Sequence, residues 1–212
     1  MDDMGASDKT YYSGWHYPTL SEEKIRASLI EPLQRHHAVM VQNVNTGYVD
    51  RKSRRVLNPW EQRHVVDELD ATIIHDFAST KRGLDAGLKA GVFEIQSHGW
   101  THLLPDLVSP PGPFWSAPAS NPVIQLNWYN EFGDNLRKIE VPAAVQRLHL
   151  QRSLDDIWTD FGVRTISLRV GGGVSSRSPA NNTLRVAAKM GFGVGQVETL
   201  CYLGNDFSVT IE

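Results

Sequence analysis

One stretch constrains this chain more than any other: Val92-Phe-Glu-Ile-Gln-Ser-His-Gly-Trp-Thr-His102. Val92, Phe93 and Ile95 are apolar and suit a buried parallel strand. The pattern breaks at Ser97 and Gly99. It sets two imidazoles, His98 and His102, four positions apart, just past the strand end. Imidazole nitrogen is the commonest neutral ligand for zinc and related divalent ions. Gly99 permits the turn that brings both rings to one ion. The spacing also occurs in unrelated surface histidines, so the residues alone leave both readings open. A buried strand with polar groups at its C-terminal end points to an α/β fold with a mostly parallel sheet, where sites gather at strand ends.

The rest of the chain alternates accordingly. Ser21 to Gln34 predicts a helix, with Ser21 as cap, Glu22 and Glu23 at the positive end, and Ile25, Leu29, Ile30 and Leu33 as the apolar stripe. Pro32 is expected to end or kink it. Ala38 to Gln42 predicts a buried strand that runs into Asn43, Asn45 and Thr46. Asn43 is a candidate for substrate contact, and a turn role fits it equally. Val65, Val66, Leu69, Ile73 and Phe77 recur at helical spacing, which makes His64 and His75 ordinary helix residues. Thr80 to Ala90 reads as a second helical stretch closed by Gly91.

Residues 103–142 differ in character, since they hold seven of the eleven prolines. That predicts a long loop insertion, with Trp115 and Trp128 available to pin it or to offer flat apolar faces to a ligand. Ala143 to Phe161 predicts a helix with Val145, Leu148, Leu154, Ile157 and Phe161 on one face, stopped by Gly162. Val163 to Leu168 reads as a strand ending at Arg169, followed by Gly171-Gly172-Gly173. The spacings of nucleotide-binding glycine loops are absent and no Lys follows, which argues against a nucleotide site. A helix at 183–190 and strands near 197–203 and 207–211 complete the pattern.

With 212 residues, 41% hydrophobic and 21% charged, the chain suits one sizeable core, so residues 1–212 are read as one domain. A net charge of −3 gives no hint of nucleic-acid binding. No apolar run approaches the roughly 18 residues of a membrane helix. The N-terminus shows neither a basic region nor an apolar stretch, which predicts no signal peptide and a cytoplasmic location. Cys201 stands alone and excludes an internal disulfide.

Three segments together resemble a known family. Ser97-His98-Gly99-Trp100-Thr101-His102, following Ala90-Gly91 and an apolar strand, is similar to the metal-binding motif of the polysaccharide deacetylases, carbohydrate esterases that share the chitooligosaccharide deacetylase domain. Asp2-Asp3-Met4-Gly5 resembles the Asp-Asp-Gly motif at the end of that family's first strand. Leu168-Arg169-Val170-Gly171-Gly172, with Asn181-Asn182 and a helix after it, resembles the Arg motif. Here Gly171 replaces the usual Pro and Gly172 the usual aromatic. Nothing precedes Met1 to supply a first strand, which suggests a truncated chain.

The resemblance implies a distorted (β/α) barrel and metal-dependent hydrolysis of an N-acetyl or related amide on a carbohydrate. It implies that Asp3, His98 and His102 hold a divalent ion, most simply zinc, with cobalt or nickel as alternatives. Asp2 would be the general base, Arg169 would orient it, and a backbone N–H near Gly172 would serve the oxyanion. Trp100, Asn43, Gly172 and Trp115 are the expected substrate-lining residues. The family's last two motifs have no counterpart after residue 195, so the general acid is unassigned. Two alternatives follow: a catalytically inactive carbohydrate-binding relative, or a metal-dependent hydrolase of a small non-sugar amide such as a cyclic imide or ureide. Oligomeric state is not legible.

Overall fold

The computed structural model describes residues 1–5, 17–50, 53, 55–105, 129–172, 176–180 and 182–196. Trp115, Trp128, Asn181 and the strands expected beyond residue 196 lie outside the described residues.

A parallel sheet organises the chain. Its strands are β1 (Met40–Val44), β6 (Phe93–Ser97), β9 (Ser167–Arg169) and β10 (Val194–Gln196), in the order β1-β6-β9-β10. Three two-stranded antiparallel pairs sit outside it. They join β2 (Tyr48–Asp50) to β3 (Arg55–Leu57), β4 (Val65–Val66) to β5 (Ile74–His75), and β7 (Gly133–Asp134) to β8 (Ile139–Glu140). The result is a mixed α/β fold, and among the described residues the sheet is open.

The N-terminal residues extend this sheet. Met4 forms a parallel bridge with Val44, Asn43 N–H donates to the Met1 carbonyl at 2.8 Å, and Asn45 N–H donates to the Met4 carbonyl at 2.8 Å. Residues 1–4 therefore lie beside β1 where a preceding strand belongs. The register then aligns Met4, Val44, Ser97 and Leu168 in one row. His98 and Arg169 each stand one residue past that row.

Four helical elements cover the sheet. α1 joins three segments, Glu22–Ile25, Arg26–Ile30 and Glu31–Arg35, the middle one a π-helix. Pro32 thus neither ends nor breaks it. The wider π turn lies just before the proline and accommodates the ring and the missing N–H. α2 (Phe77–Lys89) starts at Asp76, whose side chain accepts from Ser79 N–H. α3 is Ala143–Phe161, with Gly162 left-handed at its end, and α4 is Thr183–Lys189. One core cluster packs Ile25, Ile30 and Leu84 against Met4, Val44, Phe93, Ile95 and Ile157. A second packs Leu150, Val186 and Phe192 against Phe132 and Leu168. α3 contributes to both.

Two local expectations are corrected. Residues 65–75 form a β4–β5 hairpin, not a helix, and only Phe77 of the predicted stripe is helical. Asp67, fully buried, accepts from Leu69 and Asp70 N–H groups to shape its turn and meets His75 Nε2 at 3.0 Å. His75 is therefore a buried strand residue stacked on Phe77. The face of α3 also differs. Leu148 is 41% exposed, while Gln146, His149 and Ser153 are buried. Helical spacing of 3 and 4 gave that polar stripe as good a claim as the apolar one, and the loop beneath it decides the outcome.

Candidate metal and carboxylate site

The aligned strand ends bring the first five residues onto the His loop. Asp3 Oδ1 lies 3.1 Å from His98 Nε2 and 3.2 Å from His102 Nε2. The ligand atoms of the three residues all fall within 4.8 Å of one another. Both imidazoles are buried, and the Asp3 side chain is about a quarter exposed. Asp3 and His102 have φ of 63° and 59°, left-handed values uncommon outside glycine. Such backbone conformations persist only where surrounding contacts hold them, and they cluster at functional sites.

The hydrogen bonds fix the ring orientation at this cluster. His98 Nδ1 lies 2.8 Å from the Arg169 carbonyl. A carbonyl only accepts, so Nδ1 carries the proton, and a neutral His98 presents a bare Nε2 lone pair. That lone pair faces a carboxylate oxygen, which also only accepts. Two acceptors at 3.1 Å repel unless a cation stands between them or the ring takes a second proton. Burial acts to raise the Asp3 carboxyl, but the adjoining His102 and His98 rings outweigh it and hold Asp3 well below the usual carboxylate range. The donor set, one carboxylate and two imidazoles, suits a divalent ion such as zinc. Ligands around tetrahedral zinc stand about 3.3 Å apart, close to the two distances from Asp3 Oδ1 to the imidazole nitrogens.

Asp2 is held separately. Its Oδ2 accepts from Arg169 Nε at 2.7 Å and its Oδ1 accepts from Asn43 Nδ2 at 2.7 Å. Each contact is charge-assisted, of the order of 1.5–3 kcal/mol. Arg169 thus grips Asp2 with its side chain and His98 with its carbonyl. Asn43, expected at the substrate, is committed to Asp2 through its amide.

Trp100 turns elsewhere. Its indole N–H donates to Asp156 Oδ2 at 3.0 Å and its ring meets His149 edge-on at 5.2 Å. The ring is packed on α3 as a brace for the loop, a contact that the expectation of a substrate-lining role did not include. Burial pushes the Asp156 carboxyl up. Gly171 explains its own departure from the resembled motif: a Cβ there would stand 2.3 Å from His102 Nε2. Gly172 follows with φ of 99°, and a Cβ there would meet Asn130 Oδ1 at 2.0 Å.

Sequence reasoning missed three supports. Asn45 Nδ2 donates to the His98 carbonyl at 2.9 Å. Ser153 and Ser97 hydroxyls pair at 2.8 Å. Glu131, buried, accepts from the N–H groups of Trp100, Thr101 and His102 and pairs with His149 Nδ1 at 2.6 Å. Burial alone would raise its carboxyl, but His149 and those amides hold it below the usual range. Glu131 lies inside the proline-rich 103–142 stretch, and nothing in its local sequence marks it.

No family model and no curated protein matches this chain. Solved structures similar to it include the BpsB deacetylase domain from Bordetella bronchiseptica, with 18% identity, 84% of this chain and 61% of that one covered, and a TM-score of 0.48. Another is the deacetylase PplD from Streptococcus pyogenes in complex with acetate, with 15% identity, 82% and 50% covered, and a TM-score of 0.41. BA3943 from Bacillus anthracis, a CE4 family pseudoenzyme, gives 11% identity, 84% and 40% covered, and a TM-score of 0.43. The chain spans 40% to 61% of the length of these structures.

Proposed function

We propose that this chain is a metal-dependent hydrolase that removes N-acetyl or related amide-linked acyl groups from a carbohydrate. One observation carries the reading. A carboxylate and two imidazoles converge, with the His98 lone pair facing the Asp3 oxygen, and a second carboxylate stands beside them with both oxygens held by Arg169 and Asn43. Its neighbour Asp3 is turned to the imidazoles, so the two carboxylates have different tasks.

In this reading the ion is held by Asp3, His98 and His102, and when bound it supplies Lewis-acid polarisation of the acyl carbonyl and a water of lowered pKa. The Asp2 carboxylate takes the proton from the attacking water. Arg169 and Asn43 keep Asp2 aimed. The backbone N–H at Gly172 donates to the oxygen that becomes anionic. The parallel sheet belongs to a distorted (β/α) barrel, and residues 1–212 act as one catalytic domain with a Pro-rich insertion at about 103–142. Zinc is the expected ion, with cobalt or nickel as substitutes, and the partner is a carbohydrate.

The second reading is an inactive carbohydrate-binding relative. It is favoured by the lack, among the described residues, of an assigned donor for the leaving amine, since His149 is buried against Glu131.

The test is metal content of the purified chain after exhaustive dialysis, beside Asp3→Ala, followed by acetate release from N-acetylglucosamine oligomers. About one ion per chain, lost in the variant, with turnover, supports the hydrolase. Metal and oligomer binding without acetate release supports the inactive relative. Ring opening of a panel of cyclic imides and ureides, read as the new carboxylate formed, without acetate release from the oligomers, points to the non-sugar hydrolase. No uptake of zinc, cobalt or nickel overturns the reading.

A further inference from the structure

We propose that Glu131 is a positioning residue for the metal-ligand loop, acting as an internal anion that folds residues 99–102 around itself and thereby sets metal affinity. This rests on the reading that Asp3, His98 and His102 hold a divalent ion.

Successive backbone N–H groups that point to one spot form a concavity that binds anions. Here Trp100 N–H lies 3.0 Å from Glu131 Oε2, Thr101 N–H 3.1 Å from Oε1, and His102 N–H 2.9 Å from Oε2. His149 Nδ1 adds a fourth contact at 2.6 Å from Oε1. The carboxylate is 1% exposed, so these donors replace its water completely. Gly99 is required by the same arrangement: a Cβ there would stand 2.3 Å from Glu131 Oε2. His102 N–H is one of the donors, and His102 has the left-handed φ that turns its ring toward Asp3. Glu131 therefore fixes the backbone from which one proposed ligand projects.

The neighbours of Glu131 reinforce the inference. Phe132 is fully buried and its ring edge would meet a Cβ at Gly99 at 3.1 Å. Asn130 packs against Gly172. Residues 130–132 thus wedge between the His98–His102 loop and the loop after Arg169. This three-residue wedge, tied to α3 through the Glu131–His149 contact, packs against both halves of the site.

The experiment is zinc affinity by competition with a chromophoric chelator on the full chain, for wild type, Glu131→Gln and Glu131→Ala, with and without added formate. Residues that orient metal ligands typically change affinity 10- to 100-fold, so a loss of about that size is expected in both variants. Formate fills the vacated concavity in Glu131→Ala, and it should recover most of that loss while leaving wild type unchanged. Rescue by a small carboxylate would not follow from a general packing defect. Variants that bind zinc within about twofold of wild type overturn the inference and leave the metal site standing. A fold defect in Glu131→Ala that formate does not relieve, with Glu131→Gln unchanged in affinity, also overturns it. Wild type that takes up no metal removes both.

Discussion

Arg169 touches Asp2 and His98 at once, through different atoms. Its Nε donates to Asp2 Oδ2 at 2.7 Å, and its backbone carbonyl accepts from His98 Nδ1 at 2.8 Å. The strand end that carries Arg169 therefore aims the proposed base and fixes the tautomer of a proposed ligand together. Four expectations follow from this and neighbouring contacts.

Asp2→Asn keeps the shape of the side chain and removes its capacity to take a proton. Turnover should fall by about 100- to 10,000-fold, the usual worth of general-base catalysis, while metal content stays at the wild-type level. Elemental analysis beside an acetate-release assay checks it. Full activity in the variant would remove Asp2 from the mechanism.

Asn43→Ala leaves Asp2 with Arg169 alone. A lost hydrogen bond to a charged group is worth about 1.5–3 kcal/mol, so kcat should drop by roughly 10- to 100-fold. KM should change little, because Asn43 is turned to Asp2. A rise in KM at constant kcat would instead make Asn43 a substrate contact.

Gly171→Ala places a methyl 2.3 Å from His102 Nε2, and the ring must move. Zinc affinity should weaken by roughly tenfold or more. Chelator competition reads the affinity, and circular dichroism checks that the fold is kept. Unchanged affinity would mean that His102 is not a ligand or that the loop yields freely.

The buried Asp67–His75 pair predicts a pH dependence of stability away from the site. Burial acts to raise the Asp67 carboxyl, but His75 and the Leu69 and Asp70 N–H groups lower it below its ordinary 3.8. A depressed folded pKa means stability that is fully present above about pH 3.8 and lost as pH falls through the lower folded value. Asp67→Asn should therefore be less stable than wild type near neutral pH, by about 1–3 kcal/mol for the disrupted buried contacts. The gap should narrow below that pH. Thermal melts of both proteins from pH 7 to pH 3 test it, and a constant gap would contradict the sign.

Several elements were legible from local pattern because local pattern is their cause. The α3 span from Ala143 to Phe161 and its stop at Gly162 follow from an unbroken helical run and a residue suited to the left-handed turn. The strand before His98 follows from its apolar run. The β4–β5 hairpin was not legible. Its residues recur at helical spacing, and the competing stabilisation comes from Asp67 folding two backbone N–H groups onto itself and meeting His75. The outward turn of Leu148 and inward turn of His149 were decided by Glu131, which lies on another segment.

The sequence by itself determined which chemical groups are present and where strands end, because periodicity and glycine placement act over a few residues. It put His98, His102 and Arg169 at strand ends, and it offered Asp2 and Asp3 through a resemblance. Only the tertiary structure decided that residues 1–4 lie beside β1 and that Met4, Val44, Ser97 and Leu168 share one row. Only there does Asp3 meet two imidazoles while Asp2 meets Arg169 and Asn43. The buried carboxylate of Glu131 lies beyond any local pattern. Its charge is tolerable only because amides and an imidazole from two other segments close around it, and such satisfaction is a property of the packed chain.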